Sequence, residues 1–269
     1  MRIDVILTPA ELPALMRRDL SKAACVVFDV LRATSTFVTA LHNGARAIVP
    51  VSEIAEALAF RQKQPEALLG GERDGVRIRA AQSGGVDFDL GNSPREYTPD
   101  KVRGKTIIST TTNGTRALRA CAGAKTILAA SFLNLTATAD FIKKMQPAQV
   151  LLVSAGTHEN TALEDVLVAG AMCEMLLGKP LTPALSPLGR GEAVLQMGDS
   201  VEIARRIYAR AKADLPTAVS VSENARRLLA IPELRDDVQF CLRHDACPLI
   251  AKMEADGSIR SQSNSSQQK

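Results

Sequence analysis

Short runs of β-branched residues alternate with amphipathic segments along most of this sequence, and this alternation constrains the fold more than any other feature. Runs such as AACVVFDV (residues 23–30) and AQVLLVSA (148–155) are each followed by a helix-like segment. Gly44, Gly123 and Gly178 close three of those segments. Strands that alternate with helices are typical of a covered, largely parallel sheet. We therefore predict an α/β fold with three α/β/α layers and a largely parallel or mixed sheet.

The length of 269 residues allows one or two domains. We predict a single α/β domain over residues 1–255, with two lobes as an option. Residues 70–99 are rich in glycine, charge and turn formers, and a long irregular segment in a compact domain is usually functional or disordered. The proline-rich segment 179–191 reads as a flexible insertion, and residues 256–269 read as a disordered tail.

Composition excludes several classes of function. The absence of Trp, with two Tyr and seven Phe, argues against an aromatic surface for single-stranded nucleic acid. The net charge of +4 is mild, and the basic residues form no clear stripe, so we expect no nucleic-acid partner. No segment has the apolar length to span a bilayer, and the N-terminus lacks the apolar run of a signal peptide. We expect a cytoplasmic protein whose five cysteines are reduced thiols.

Three predicted strand-to-helix junctions carry clusters of polar residues. In open α/β sheets, ligands bind beyond the carboxyl ends of the strands, where helix N-termini offer free N–H groups. The junctions are DVLRATST (29–36), STTTNGTRAL (109–118) and AGTHENTALED (155–165). We predict that they converge on one anion- and metal-binding active site.

In the first junction, three hydroxyl residues and an arginine follow an aspartate. Arg32, Thr34 and Ser35 are suited to bind a phosphate, and Asp29 is suited to ligate a metal. The alternative is that Thr34 is only a helix cap and Asp29 only a turn former. A cap needs one such residue, and this cluster is larger, so we favour a functional site.

The second junction is denser, with a hydroxyl run followed by Asn113, Gly114, Thr115 and Arg116. Gly114 is expected to allow a positive φ and a close approach of backbone to ligand. Successive N–H groups in such a turn form an anion-binding nest. Asn-Gly also marks ordinary hairpin turns, but this one joins a strand to a helix.

The third junction places Glu164 and Asp165 at the start of a helix. Acids at that position are favoured by the helix dipole, which accounts for one of them. Adjacent carboxylates beyond a strand also suit a hard divalent cation. Both interpretations stay open, and His158 in the same junction reads as a loop histidine.

Several familiar chemistries are not supported. The sequence contains no GxxxxGK[ST] phosphate loop, no GxGxxG fingerprint and no cysteine followed by five residues and then arginine. Three histidines are too few for a multi-histidine metal site. The CLRHDAC segment (241–247) hints at zinc, but its spacing is unusual and it lacks an evident fourth ligand.

With these motifs together, the chain resembles the 2-phosphosulfolactate phosphatase family. The resemblance runs from about Val26 to Gly170 and rests on VVFDVLRATSTFVTAL, GGER, FDLGNSP, TIISTTTNGTRAL, SFLN and LEDVLVAG. It resumes more weakly in SENARRLL and LRDDVQFC. It implies a fold distinct from the better-known phosphatases and magnesium-dependent hydrolysis of (2R)-2-phospho-3-sulfolactate to 3-sulfolactate and phosphate, a step towards coenzyme M. The loop before DFDLGNSP is longer than expected, and 179–191 looks inserted.

The resemblance, combined with the junctions, implies three sets of residues. The catalytic set is Asp29, Arg32, Glu72 and Asn113. The substrate-binding set is Thr34, Ser35, Arg73, Asn92, Ser93, Thr111, Thr112, Gly114, Thr115, Arg116 and Asn134. The metal set, for Mg²⁺, is Asp29, Glu72, Glu164 and Asp165.

For the mechanism, we favour attack by a metal-activated water over an aspartyl-phosphate at Asp29. The haloacid dehalogenase-type phosphatases use a D-x-D motif, and position 31 here is Leu. Two other functions stay open at this point. One is the same chemistry on another small phosphorylated hydroxy acid, and the other is a non-catalytic phospho-anion-binding protein. The expected partner is a small acidic phosphorylated substrate, with no membrane, and a homodimer is an option.

Overall fold

The computed structural model describes residues 1–178 and 197–262. Ten short strands occur in this part of the chain: β1 (Arg2–Ile6), β2 (Ala23–Phe28), β3 (Ala47–Val51), β4 (Leu68–Arg73), β5 (Val76–Arg77), β6 (Thr106–Thr110), β7 (Thr126–Ala130), β8 (Gln149–Ser154), β9 (Ile250–Met253) and β10 (Ile259–Gln262). The same ranges contain twelve α-helices: α1 (Leu12–Leu15), α2 (Ala33–His42), α3 (Ile54–Lys63), α4 (Ala80–Ser83), α5 (Pro99–Val102), α6 (Gly114–Ala120), α7 (Leu135–Met145), α8 (Leu163–Leu177), α9 (Asp199–Ala211), α10 (Leu215–Ser220), α11 (Glu223–Leu229) and α12 (Arg235–Cys241).

The strands of the described ranges form one mixed sheet in the order β1-β8-β2-β7-β9-β10-β3-β6-β4-β5. It contains two parallel blocks, β1-β8-β2-β7 and β3-β6-β4. The antiparallel hairpin β9–β10 joins them, since β9 pairs with β7 and β10 pairs with β3. The prediction of an α/β fold with a largely parallel or mixed sheet is confirmed.

The sheet is covered on both faces because its strands are apolar on both sides. All six residues of β2 are buried, and they divide by alternation. Val26 and Phe28 pack into one apolar cluster with residues of α8 and α9, whereas Cys25 and Val27 pack into a second cluster with α2 and α6. Period-2 alternation sends neighbouring side chains to opposite faces, so one continuous apolar run supports two cores. This arrangement gives the three layers.

The helix ends follow the glycines that the sequence singled out. Gly44, Gly123 and Gly178 have φ values of 93°, 90° and 66°. This left-handed conformation ends a helix and is readily adopted by glycine. All five cysteines are free and buried, as expected for reduced thiols. Within the described ranges, no helix is both long and apolar enough to cross a membrane.

Two expectations about irregular segments need correction. The tail predicted from residue 256 is wrong for its first part, because Ile259–Gln262 form β10 in the middle of the sheet. Burial of Ile259 against the second cluster explains its order. The segment 70–99 is also less irregular than predicted, since it contains part of β4 together with β5 and α4. The predicted insertion at 179–191 and residues 263–269 lie outside the described residues.

The β9–β10 hairpin determines how the two parallel blocks face each other. Since the hairpin is antiparallel to both neighbours, β6 runs opposite to β2. In a flat sheet their carboxyl ends would lie at opposite edges. Five neighbouring pairs separate β2 from β6, and a twist of about 20–25° per pair rotates the second block by roughly 100° or more. Residues that follow β2 and β6 do line one cleft, so the sheet is far from flat.

Candidate active site

A single cleft receives residues from all three junctions. It lies beyond the carboxyl ends of β2, β4 and β6, and α11 forms another of its walls. Its lining consists of Asp29, Leu31, Arg32, Glu72, Asp74, Gly75, Asn92, Thr112, Asn113, His158, Asn224, Arg227 and Leu228. The predicted catalytic residues Asp29, Arg32, Glu72 and Asn113 therefore lie together.

Asp29 follows β2 directly and is held by the start of α2. Its Oδ1 accepts a hydrogen bond from the Ala33 N–H (3.0 Å). The Thr34 hydroxyl donates to the Asp29 carbonyl (3.0 Å) and accepts from the Asp29 N–H (3.0 Å). Within the described chain, no donor contacts Oδ2. One carboxylate oxygen thus fixes the orientation of the side chain, and the other is left for a ligand.

The environment of Asp29 raises its pKa to about 7. Burial is the main cause, because it disfavours the charged form, and the carboxylates of Glu72 and Glu164 act in the same direction. The Ala33 N–H and the Arg32 charge oppose the shift but do not cancel it. A pKa shifted this far in a cleft is characteristic of functional groups.

The raised pKa of Asp29 leads to a prediction about stability. A carboxyl group whose pKa is raised by folding stabilises the folded state at low pH, and this contribution is lost as the pH rises through about 7. In a chelator, the free energy of unfolding should therefore fall between pH 5 and pH 8. Asp29→Asn should remove about 2.5 kcal/mol of that fall, because about two pH units of the titration lie between pH 5 and the pKa of about 7. Urea unfolding of both proteins measures it, and parallel pH profiles would contradict the prediction.

Gly114 brings the second junction against Asp29. A Cβ at position 114 would lie 2.7 Å from the Ala33 Cβ and 2.9 Å from Asp29 Oδ2. The expected close approach is therefore present, but its partner is the first junction. The expected positive φ is wrong, because Gly114 begins α6 and is not among the residues with positive φ. Lack of a side chain is what this position requires.

Glu72 ties the end of β4 to the second junction. Its Oε1 accepts hydrogen bonds from the Thr112 N–H (2.9 Å) and the Thr112 hydroxyl (3.0 Å). Its Oε2 accepts from the Gly75 N–H (2.8 Å). Both oxygens are occupied by donors, so Glu72 shapes the cleft wall and is a weaker candidate for the metal than the sequence suggested.

The third junction contributes two acids with different surroundings. Asp165 accepts from the Val30 N–H (2.8 Å) and the Gly156 N–H (3.0 Å), which joins the ends of β2 and β8. Burial, followed by the charges of Asp29 and Glu164, raises its pKa well above the usual range. Glu164 is fully buried and accepts from Asn224 through Oε1 (2.7 Å). Its Oε2 is buried without a hydrogen-bond partner in the described chain.

Because both oxygens of Asp165 accept backbone N–H groups, we expect its side chain to contribute to the free energy of unfolding. Asp165→Asn replaces one acceptor oxygen by an NH₂ group, which would face the N–H of Val30 or Gly156. A buried N–H without an acceptor costs about 1–3 kcal/mol. We expect the free energy of unfolding to fall by that amount in chelator at pH 5. Asp140→Asn, an exposed acid of α7, is the control and should change it by less than about 0.5 kcal/mol. Equal effects of the two substitutions would argue against a structural role.

Arg32 is buried and anchored away from its own junction. It donates to Asp237 Oδ2 (2.8 Å) from α12 and to the Gly75 carbonyl. Ser93 donates to the other oxygen of Asp237 (2.7 Å). The side chains of Arg32 and Asp237 are 2% and 0% exposed, so this is a buried ion pair. Ser93, which was predicted to bind substrate, instead holds the Asp237 carboxylate of this ion pair.

Two of the predicted anion-binding arginines do not reach the cleft. Arg73 donates to the carbonyl of Ser52 (3.3 Å) and to the hydroxyl of Thr110 (3.1 Å). Arg116 is partly exposed and pairs with Glu159. Neither residue is among those that line the cleft. Their assignment to substrate binding is not supported by the geometry.

Five further predicted substrate-binding residues bond within the protein. Thr34 and Ser35 donate to the carbonyls of Asp29 and Val30, Thr111 lies 3.3 Å from the hydroxyl of Thr115, and Asn134 donates to the carbonyls of Ala129 and Leu249. Buried hydroxyls and amides next to strand ends compete for backbone partners, and here they find them. These groups stabilise the backbone that follows the strands, Asn134 after β7 and the other four in the first two junctions. Asn92 and Thr112, in contrast, line the cleft as predicted.

Sequence reasoning missed several residues of the site, among them three polar residues of the C-terminal helices. Asn224 and Arg227 of α11 line the cleft, and Asp237 of α12 holds Arg32. All three lie in SENARRLL or LRDDVQFC, the two stretches where the resemblance resumes. That likeness was the available signal, because the local pattern is that of ordinary amphipathic helices.

The site offers fewer metal ligands than the sequence suggested. Within the described residues, no group of three or more Asp, Glu, His or Cys side chains is placed to hold a metal ion. Asp29 and Glu164 each keep a carboxylate oxygen without a donor. Mg²⁺ is usually held by one or two carboxylates together with water and substrate phosphate oxygens. Two acids keep an oxygen for such a site: Asp29 lines the cleft, and Glu164 is buried behind the lining, close enough for its charge to act on Asp29.

Comparison with known proteins identifies the relatives of this chain. The family model described as 2-phosphosulpholactate phosphatase matches residues 8–256. The chain belongs to the 2-phosphosulfolactate phosphatase family. A protein of Caldanaerobacter subterraneus subsp. tengcongensis, named probable 2-phosphosulfolactate phosphatase, is 37% identical over 245 residues, covering 90% of this chain and 92% of that protein. A protein of Clostridium acetobutylicum with the same name is 32% identical over 251 residues, covering 93% and 96%.

Membership in the 2-phosphosulfolactate phosphatase family makes the chain a phosphoric monoester hydrolase. The resemblance inferred from the motifs is thereby confirmed. A purely non-catalytic anion binder is not supported, and the acids in the cleft agree with this, since an anion binder gains nothing from nearby negative charge.

Proposed function

We propose that this chain hydrolyses (2R)-2-phospho-3-sulfolactate to 3-sulfolactate and inorganic phosphate, a step of the coenzyme M type. The main structural support is the state of Asp29. Its buried carboxylate lies at the cleft, with one oxygen fixed by a backbone N–H and the other without a donor in the described chain. The names of the relatives and the family model support the choice of substrate.

We propose Mg²⁺ as the cofactor, which Asp29 and Glu164 would hold. When bound, the ion neutralises charge on the phosphoryl oxygens. Asp165 and Glu72 keep their hydrogen bonds to backbone N–H groups. These bonds hold the carboxyl ends of β2, β4 and β8 in place. The Asn92 side chain, whose Oδ1 is buried without a donor in the described chain, adds a further uncharged oxygen at the cleft.

The chain's own residues position the reactants. Arg32, fixed by Asp237 and the Gly75 carbonyl, places positive charge beside the phosphate. The oxygen of a water molecule bonds to phosphorus as the bond from phosphorus to the substrate oxygen breaks, and one proton of the water ends on the alcohol of the product. Phosphoryl transfer depends mainly on such positioning and charge stabilisation.

Two assays test the reaction. The purified chain should release phosphate from 2-phospho-3-sulfolactate, and a panel of phosphorylated hydroxy acids without a sulfonate should be turned over at least tenfold more slowly. Comparable turnover of the panel would favour the second candidate, a phosphatase for another small phosphorylated acid. Single-turnover hydrolysis in ¹⁸O-water tests the nucleophile, and label in the Asp29 carboxylate would show an aspartyl-phosphate.

Removal of divalent cations provides a separate prediction. Chelation should abolish phosphate release, and magnesium should restore it. Because the unpaired oxygen of Glu164 is assigned to the cation, Glu164→Gln should raise the magnesium concentration for half-maximal activity about tenfold or more. Calorimetric titration of magnesium supplies a readout independent of turnover. Glu159→Gln, an exposed acid in the same junction, is the control. An unchanged magnesium requirement in Glu164→Gln would exclude this role.

A further inference from the structure

One cleft arginine has no assignment in the proposed reaction. Arg227 of α11 lines the cleft and is half-buried. In residues 1–178 and 197–262, no carboxylate lies within salt-bridge distance of it. Arg32 is paired with Asp237, and Arg116 is paired with Glu159. Two arginines line the cleft, Arg32 and Arg227. In the described chain, Arg32 has a carboxylate partner and Arg227 has none.

Arg227 is held in position by neutral groups. It donates to Asn224 Oδ1 on the preceding turn of the same helix. Asn224 is itself fixed, because its Nδ2 donates to the Thr157 hydroxyl (2.7 Å) and to Glu164 Oε1 (2.7 Å). The aliphatic part of Arg227 packs over the turn at Gly75, where a Cβ would lie 3.9 Å from its Cδ. The side chain is thus oriented without losing its charge to an acid.

The charges of the proposed substrate indicate a binding role for the Arg227 guanidinium. The molecule carries a phosphate together with a carboxylate and a sulfonate. In the proposed reaction the cation and Arg32 would contact the phosphate, which leaves the other acid groups without a cationic partner. An arginine fork matches a pair of acid oxygens and binds them with charge-assisted hydrogen bonds.

We propose that Arg227 binds an acid group of the substrate other than the phosphate, and so selects phosphorylated acids over simple phosphate esters. This inference rests on the proposed function. Asn224 is its positioning residue, and through Asn224 the same arginine is connected to Glu164. The carboxylate and the sulfonate share the required chemistry, and the substrates of the test separate them.

The test compares four esters of one carbon frame. They are 2-phospho-3-sulfolactate, 2-phospholactate with the carboxylate alone, 1-sulfopropan-2-yl phosphate with the sulfonate alone, and 2-propyl phosphate with neither. Arg227→Met should lower kcat/KM about 10- to 100-fold for 2-phospho-3-sulfolactate and for the single-acid ester that carries the recognised group, mainly through KM. The value for 2-propyl phosphate should change by less than about threefold. Arg227→Lys should recover part of the loss, since it restores charge without the fork.

Arg226→Met is the matched control, because Arg226 is the neighbouring, exposed arginine of α11. It should leave all four values unchanged. An equal loss on all four esters in Arg227→Met would show a purely structural role and overturn the inference, as would no loss on any of them.

A binding measurement separates this inference from the proposed function. Calorimetry with 3-sulfolactate, which carries the acid groups without phosphate, should show binding to the wild-type chain and about tenfold or weaker binding to Arg227→Met. Inorganic phosphate should bind both proteins equally. If the wild-type chain releases no phosphate, the proposed function fails and this comparison still decides the role of Arg227. Equal 3-sulfolactate affinity, or no binding by the wild-type chain, overturns it.

Discussion

Replacing Asp29 by Asn should lower the rate of phosphate release about 10³-fold while leaving the protein folded. The amide keeps an oxygen that accepts the Ala33 N–H, so the local structure at the start of α2 is preserved. What is lost is the negative charge on the oxygen that faces the cleft. Removing a carboxylate that organises a charged transition state typically costs 10²–10⁴ in rate.

The control for Asp29 is Asp74→Asn. Asp74 also lines the cleft but is exposed, and its φ of 54° is a conformation that asparagine tolerates well. The same change of charge at that position should alter the rate by less than about threefold. Steady-state kinetics of both variants, with urea unfolding to verify folding, measures the difference. A rate loss in Asp29→Asn no larger than in Asp74→Asn would remove Asp29 from the mechanism.

The largest effect on stability is expected at Asp237. Asp237→Asn leaves the buried charge of Arg32 without its partner, and breaking a buried ion pair on one side costs about 3–5 kcal/mol. Asp236→Asn is the control, since that neighbouring acid is 75% exposed and pairs with Arg95 at 3.1 Å. A surface pair of this kind contributes about 1 kcal/mol at most.

A double variant separates the structural and catalytic parts of this ion pair. Arg32→Met combined with Asp237→Leu removes both charges, and apolar replacement of a buried pair is often neutral or stabilising. The double variant should regain most of the stability that Asp237→Asn loses, yet remain inactive because the guanidinium is absent. Urea unfolding and phosphate release measure the two properties. Recovery of activity in the double variant would show that Arg32 acts only in folding.

The elements of the fold were largely predictable, with one instructive exception. Continuous apolar runs such as that of β2 and helix-ending glycines such as Gly44 are local signals, and both were interpreted correctly. The β9–β10 hairpin was missed, although Asp256-Gly257 is the dipeptide that favours a hairpin turn and Gly257 has a φ of 79°. The polar residues that follow it dominated the interpretation of the C-terminus as a disordered tail.

The roles within the site were less predictable because hydroxyl and carboxyl groups have several uses. Thr34, Ser35 and Asn134 have the composition of ligand-binding residues, but their hydrogen bonds go to backbone carbonyls. Asp165 and Glu164 are adjacent in sequence and chemically similar. One has both oxygens occupied by N–H groups, and the other keeps one free in the described chain. Only their neighbours in space distinguish them.

By itself, the sequence determined the strand-to-helix junctions, because each depends on residues within about ten positions of one another. It therefore indicated correctly where the polar clusters lie along the chain. The tertiary structure decided that the junctions meet, since residues that follow strands of both parallel blocks line one cleft although the hairpin reverses one of the blocks. It also decided which charges are balanced. Asp237 lies 205 residues from Arg32 in sequence, and a pairing across such a distance depends on packing that no local pattern contains.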